Sequence, residues 1–168
     1  LIRGKKGTKV VLGIVRDNEL LKVSLIRDRI EINVVDSRIN NTVLGVKIGY
    51  LRLKQFNAKS PKEMSLSINK LEKEKPFGYV LDLRGNPGGL LEASIEIARQ
   101  WINKGIIVST KTKDGITDIR KAKRRALTNR PLVVLIDEGS ASASEILSGA
   151  IKDNNRGVLV GKKTFGKG

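Results

Sequence analysis

An α/β fold is what the sequence predicts, and three observations carry that expectation. Short runs rich in Val, Ile and Leu recur along the second half of the chain: "FGYVLDLRG", "IIVSTK", "PLVVLID" and "GVLVG". Longer segments lie between them, "GGLLEASIEIARQWINKG" and "SASEILSGAIKD", with apolar residues at helical spacing. Gly-, Pro- and Asn-rich corners separate the two kinds of segment. Strands that alternate with helices pair in parallel, because each return crossing needs a helix-sized length of chain.

Taken in order, the first 35 or so residues are strand-like, with "KVVLGIV" and "RIEINVV" as the candidate strands and "RGKKGTK" as a glycine-bounded turn. A polar break is expected at "DSRINN", and "VLGVKIGYLRLKQF" then reads as extended, with Gly45 and Gly49 at turns or bulges. A helix follows at "SPKEMSLSINKLEKEK". Ser60 suits its cap, Pro61 its first position and Glu63 a capping box, while Met64, Ile68 and Leu71 share one face. After "FGYVLDLRG" come a helix ended by Gly105 and the strand "IIVSTK". The strand "PLVVLID", the helix "SASEILSGAIKD" and the strand "GVLVG" complete the order. The boundary between the β-rich start and the α/β remainder is expected between residues 26 and 40.

At 168 residues, with 39% hydrophobic and 30% charged residues, the chain is long enough for one domain with a real core, or a domain and part of another. Its apolar runs are too short to span a bilayer as a helix. There is no cysteine and no histidine. Disulfides, thiolate metal sites, cysteine nucleophiles and any Ser-His-Asp arrangement within the chain are thereby excluded. No metal site and no cofactor are expected. The net charge of +16 is spread along the chain, densest at "IRKAKRRALTNR". That stretch holds no aromatic residue to stack on a base, so specific nucleic-acid binding is not expected. A solvated basic face, or attraction to an anionic membrane surface, accounts for it.

Three stretches bear chemistry. "DLRGNPGG", Asp82 to Gly89, joins a strand to a helix through a tight corner whose amides suit a negative charge. The same residues also make an ordinary turn. "DEGSASASEILSGA", Asp137 to Ala150, runs a strand into a serine-rich helix start. There the amides and helix dipole favour an oxyanion beside a serine nucleophile. Equally, Ser140 caps that helix, with Ser142 and Ser144 in its first turn. "GKKTFGKG", Gly161 to Gly168, nearly spells a phosphate-binding loop, but Gly168 stands where Ser or Thr is required. With histidine and cysteine absent, lysine is the recognised base for a serine nucleophile. A neutral lysine is made by burial, and Lys167 beside Phe165 is expected to enter an apolar pocket.

Together, "YVLDLRGNPGGLLEASIEIARQW", "PLVVLIDEGSASASEILSGAIKDNNRGVLVGKKTFGKG" and "IGYLRLKQFNA" resemble the carboxyl-terminal processing peptidases, or tail-specific proteases, which are serine–lysine endopeptidases of the S41 type. The resemblance covers roughly residues 40–168 and is strongest to cyanobacterial and plastid members, which include the enzymes that mature the photosystem II D1 protein. It implies a ClpP/crotonase-like spiral catalytic core over residues 28–168, continuing past Gly168. It also implies that residues 1–27 are the last strands of a PDZ domain. Residue by residue, it implies Ser142 as nucleophile and Lys167, twenty-five positions later, as base. It further implies that the backbone amides of Gly88 and Ala143 form the oxyanion hole and that Asp153 has a supporting role. The implied activity is cleavage of protein substrates near their C-termini through an acyl-enzyme, in the periplasm or thylakoid lumen. The alternative is a peptidase-like scaffold that binds peptide tails without cutting them.

Overall fold

The structure is a computed structural model, describing residues 2–28, 33–111, 115 and 117–167. The chain divides into two compact units, residues 1–32 and 33–168. In the first, β1 (Lys9–Arg16) and β2 (Glu19–Ile26) form an antiparallel ribbon. Asp17 and Asn18 turn it, both with positive φ, as the two-residue hairpin turns that match strand twist require. The first four residues of the expected strand "RIEINVV" lie outside the described residues.

The second unit is built on a five-stranded sheet in the order β3-β4-β5-β8-β9, formed by Val35–Asn41, Lys47–Leu53, Gly78–Asp82, Leu132–Ile136 and Val158–Gly161. The pairs β4–β5, β5–β8 and β8–β9 are parallel, as the alternation of strands and helices predicts. The expected polar break "DSRINN" is instead β3, an antiparallel edge strand on β4. Its polar residues are tolerated because an edge strand is paired on one side only and faces water on the other.

Gly45 does turn the chain (φ 75°), with its amide on the Thr42 carbonyl at 2.9 Å. Gly49 makes no turn; it sits inside β4 because a Cβ there would meet the Tyr79 ring at 2.5 Å.

Helices α1 (Ser60–Glu72), α2 (Leu91–Trp101) and α3 (Ala143–Asp153) share a core with one face of this sheet. Leu51, Leu81 and Val134, in register across β4, β5 and β8, are fully buried in that core. Met64 and Ile68 of α1, Ile95, Ile97 and Trp101 of α2, and Leu147 and Ile151 of α3 fill it from the other side. Trp101 meets Tyr79 edge-on, with ring centroids 5.5 Å apart.

The start of α1 differs in detail from the sequence expectation. Ser60 is the first helical residue and Lys59 the N-cap, without a side-chain cap bond; Asn57 Oδ1 accepts the Lys59 and Ser60 amides at 2.9 and 3.0 Å. Glu63 does not close a capping box; its Oε2 accepts the amides of Val34 and Val35 and ties α1 to the start of β3. A separate hairpin, β6 (Ile106–Lys111) with β7 (Thr117–Lys121), is anchored by Asn154 Nδ2, which donates to the Ile106 carbonyl at 2.8 Å.

The opposite sheet face carries half-buried Tyr50, Val80 and Val133 and a polar cluster at the end of β5. Asp82 is fully buried there, accepting the Tyr50 hydroxyl at 2.6 Å and the Arg84 guanidinium at 2.7 and 2.9 Å. Desolvation pushes its carboxyl upward, but the Arg84 and Tyr50 hydrogen bonds outweigh it and lower the pKa from 3.8 to about 2. A depressed carboxylate stabilises the fold fully above its unfolded pKa and loses that contribution as pH falls through the folded value. Urea denaturation of Asp82→Asn should therefore show lower stability than the parent at pH 7. Its pH dependence between about 4 and 2 should also be flatter than the parent's.

Candidate active site

The C-terminal ends of β5 and β8 lie side by side, Asp82 opposite Leu135, so the loops leaving them run against each other. Their contacts are specific. Gly85 donates its amide to Asp137 Oδ1 at 2.8 Å, and Ser140 Oγ donates to the Leu83 carbonyl at 2.8 Å. The Asn86 carbonyl accepts the Ala141 amide at 3.1 Å and Ser144 Oγ at 2.9 Å. Asn86 is fully buried, and its Nδ2 donates to the Leu53 carbonyl at 2.8 Å. Both loops are thus fastened to one buried asparagine.

Gly88 occupies the closest approach. A Cβ there would stand 2.6 Å from the Ala141 carbonyl oxygen, 2.9 Å from the Ala143 nitrogen and 3.0 Å from Ser142 Cβ. Its φ of 97° also belongs to the region that favours glycine. Of the expected oxyanion donors, the Ala143 amide has no acceptor among the described residues. The Gly88 amide donates to Asn86 Oδ1 at 2.9 Å.

Ser142 is the N-cap of α3, not a residue of its first turn, and Ser140 is a buried residue of the preceding loop. Ser142 has φ 54° and ψ −114°, a strained geometry for a side-chain-bearing residue that costs about 1–3 kcal/mol. Such a sharp strand-to-helix turn pushes a side chain outward at the positive end of the helix dipole.

Glu145, three residues on, completes a capping box, and its Oε2 accepts the Ser142 amide at 2.8 Å. The same oxygen accepts the Lys167 amide at 3.0 Å, while Oε1 accepts the Gly166 amide at 2.7 Å. Desolvation works to raise the Glu145 pKa. The Gly166 and Ser142 amides, the Thr164 hydroxyl and the Lys167 amide outweigh it, so the carboxyl is held below its ordinary value. The loop thus presents its amides to a carboxylate of its own chain, where a phosphate-binding loop would present them to a nucleotide.

Neither Glu145 nor Asn86 is singled out by the sequence reading. The signal for Glu145 was present as the Ser-x-x-Glu spacing of Ser142 and Glu145, a capping-box pattern. Asn86 carries no signal of burial, because asparagine is a common turn residue.

Ser142, Ala143, Gly88 and the Lys167 backbone therefore converge. The Lys167 side chain is exposed and Phe165 is 69% exposed, so the expected apolar pocket is not built by these residues. The reason is positional: their loop leaves the sheet from its edge strand, β9. Asp153 ends α3, eleven residues beyond Ser142, or about 16 Å along the helix axis. It lines a cavity of about 450 Å³ with Ile146, Gly149 and Leu159, and does not reach Ser142. Among the described residues no cluster of acidic side chains could hold a metal ion.

The sequence pattern of Peptidase family S41 matches residues 47–168, and the chain belongs to that family. It is 47% identical to the carboxyl-terminal-processing protease of Picosynechococcus sp., over 99% of this chain and 41% of that protein. The corresponding protease of Synechocystis sp. is 46% identical, over 99% of this chain and 40% of that protein. Carboxyl-terminal-processing peptidase 3, chloroplastic, of Arabidopsis thaliana is 40% identical, over 99% and 34%. The chain thus spans about two-fifths or less of the length of these relatives. Among solved structures, a photosystem II D1 C-terminal processing protease superposes with a TM-score of 0.77 at 32% identity, over 98% of this chain and 46% of that one.

The Gly88 contact generates a prediction. In the full-length protein, Gly88→Ala should slow labelling of Ser142 by a serine-directed probe about 100-fold, since displacement by an ångström is enough for such a loss. Its cost in stability by denaturant titration should be at least the about 1–3 kcal/mol of backbone strain, with the Cβ contact on the Ala141 carbonyl added.

Proposed function

We propose that the chain carries the catalytic centre of a serine endopeptidase that cleaves proteins near their C-termini, with Ser142 as nucleophile and Lys167 as base. The observation that carries this reading is the shared oxygen of Glu145, which receives the amides of both residues at 2.8 and 3.0 Å. Two residues twenty-five positions apart are thereby tethered side by side at a strained helix start.

In this reaction neutral Lys167 takes the proton from Ser142 Oγ as that oxygen bonds to the scissile carbonyl carbon. The carbonyl electrons move onto the oxygen, and the Ala143 amide donates to the resulting oxyanion. The Gly88 amide joins it by turning from Asn86 Oδ1. Protonated Lys167 then gives its proton to the departing amine as the C–N bond breaks. Water, deprotonated by Lys167, attacks the ester and frees Ser142 and a new carboxylate. Because the lysine side chain is exposed, bound substrate is what excludes water around it.

Residues 1–27 serve in this reading as the last strands of a PDZ domain that receives substrate tails. Residues 28–168 belong to a ClpP/crotonase-like core acting outside the cytoplasm, and the D1 precursor is a candidate substrate. Asp153 supports the site through the far end of α3.

Mutation tests the dyad directly. In the full-length protein, Ser142→Ala and Lys167→Ala should each slow cleavage of a tail peptide at least about a thousandfold. Retained turnover in either variant contradicts the assignment. Peptide binding without any cleavage by the parent instead indicates a tail-binding scaffold.

The anionic membrane surface belongs to the same proposal. Lys121, Lys123, Arg124 and Arg125 have no carboxylate partner among the described residues, while Arg120 and Arg130 are paired with Glu92 and Glu72. Their segment is fixed by Arg124 N–H on the Asn103 carbonyl and Leu127 N–H on the Gln100 carbonyl, at 3.0 and 2.8 Å. Binding to anionic vesicles should fall steeply with salt, and a quadruple Lys/Arg→Gln variant should bind more weakly by about 1 kcal/mol per charge. Equal binding to neutral vesicles contradicts it.

A further inference from the structure

One end of the second unit gathers features that the catalytic reading leaves unused. The turn between β3 and β4 is closed by three hydrogen bonds. Thr42 N–H donates to the Val46 carbonyl at 2.9 Å, Gly45 N–H to the Thr42 carbonyl at 2.9 Å, and Val46 N–H to Thr42 Oγ1 at 3.1 Å. At its tip stand Val43, fully exposed, and Leu44, 86% exposed. Val46 is exposed as well, and so is Phe77, whose amide donates to the carbonyl of the neighbouring Lys47 at 2.9 Å. Single exposed apolar residues are ordinary, but a group of them held outward by a bonded turn marks a contact surface.

We propose that this turn is a membrane wedge: Val43 and Leu44 insert into the interface of an anionic bilayer, and the lysines beside them meet its lipid phosphates. The wedge stands independently of the serine–lysine reading and adds an apolar element to the basic segment 121–125. Shape and charge favour a lipid surface over a protein partner. A stable protein interface takes about 800 Å² from each partner, more than the tip of a hairpin offers. A bilayer demands no matching surface, and cations flanking a small apolar insertion strengthen its binding to anionic lipid. Here Glu72 and Glu74 are paired with Arg130 and Lys47, while Lys73 and Lys75 are exposed with no carboxylate partner among the described residues.

The fold brings the basic segment to the same end. Ile48 pairs with Gly78 and Tyr79 with Leu132, so β4, β5 and β8 begin side by side, next to the turn. The Arg156 guanidinium donates to the carbonyls of Trp101, Thr128 and Arg130 at 2.7, 3.1 and 2.9 Å, which ties the end of α2 to the chain entering β8. Arg124 N–H on the Asn103 carbonyl then holds the basic segment beside that helix end. The loops of the proposed catalytic site leave the opposite ends of β5 and β8, about 16 Å away along a five-residue strand. A molecule docked by the turn therefore holds those loops away from the bilayer, open to chain in the aqueous phase.

The test uses the full-length protein and vesicles of two parts phosphatidylcholine to one part phosphatidylglycerol. Val43→Ser/Leu44→Ser should weaken binding about 30-fold, as strongly in about 0.5 M salt as at low salt, because an apolar contact is not screened. Lys/Arg→Gln exchange in 121–125 should act mainly at low salt. A control, Leu66→Ser, which alters an exposed apolar residue inside α1, should bind within threefold of the parent. A polarity-sensitive dye on Leu44→Cys should report water before vesicles are added and an apolar medium afterwards. Ser142→Ala should bind vesicles as the parent does, so failure of the dyad reading leaves this result untouched.

Binding of Val43→Ser/Leu44→Ser within threefold of the parent overturns the proposal, as does a dye that still reports water on bound vesicles. A dye that reports an apolar medium before any vesicle is added also overturns it, and assigns the turn to a second copy or to another segment of the protein; sedimentation tells those two apart. Should the double variant not fold, Leu44→Ser alone replaces it, with an expected loss of about fivefold and the same threefold limit.

Discussion

The parallel pairing of β5 with β8 is the constraint on which the rest depends. It sets Asp82 opposite Leu135 and so brings two loops to the same end of the strands, one rich in glycine and one in serine. Neither loop has regular structure with which to satisfy its backbone, so each takes partners from the other. Asn86 lies at the centre of that exchange, accepting the Ala141 amide and the Ser144 hydroxyl on its carbonyl. Polar groups buried in this way are costly unless paired, and pairing them fixes the loops in one arrangement. The strained, positive-φ geometry of Ser142 persists because the loops and Glu145 over-determine it.

A second layer of control lies at the sheet edge. β9 delivers the lysine loop beside α3 but does not hold its end. The Glu145 carboxylate does so by accepting amides from both sides of the gap. The charge on that carboxylate is held in place by the same amides, which lower its pKa against the desolvation that would raise it. Rigid strands supply the approximate geometry, and a few charge-assisted bonds refine it.

How much of this was legible in the sequence depends on the kind of signal. The parallel strands and the three helices were legible because their apolar periodicity is local and strong. The edge strand Val35–Asn41 was not, since "DSRINN" has the composition of a loop and is held extended only by pairing with β4. The cap position of α1 fell to Lys59, not Ser60, and the amides entering the helix turn to Asn57, a tertiary detail that spacing alone does not reveal. Ser142, Ala143, Gly88 and Lys167 were named from a resemblance, and their backbones converge in space. The exposure of Lys167 and the pairing of the Gly88 amide with Asn86 were beyond sequence reading, since both depend on what packs nearby. Glu145 was within reach, for Ser-x-x-Glu before a helix is a recognised local pattern, but its link to Lys167 spans twenty-two residues and is purely tertiary.

The central claim is that Ser142 attacks the substrate carbonyl, and trapping the covalent intermediate tests it most directly. The full-length enzyme would be mixed with a tail peptide ester, quenched in acid within the first turnover, digested and analysed by mass spectrometry. The account predicts an acyl adduct on the peptide bearing Ser142, absent when Lys167 is replaced by alanine. An adduct on another residue, or rapid turnover with no adduct at Ser142, would contradict it.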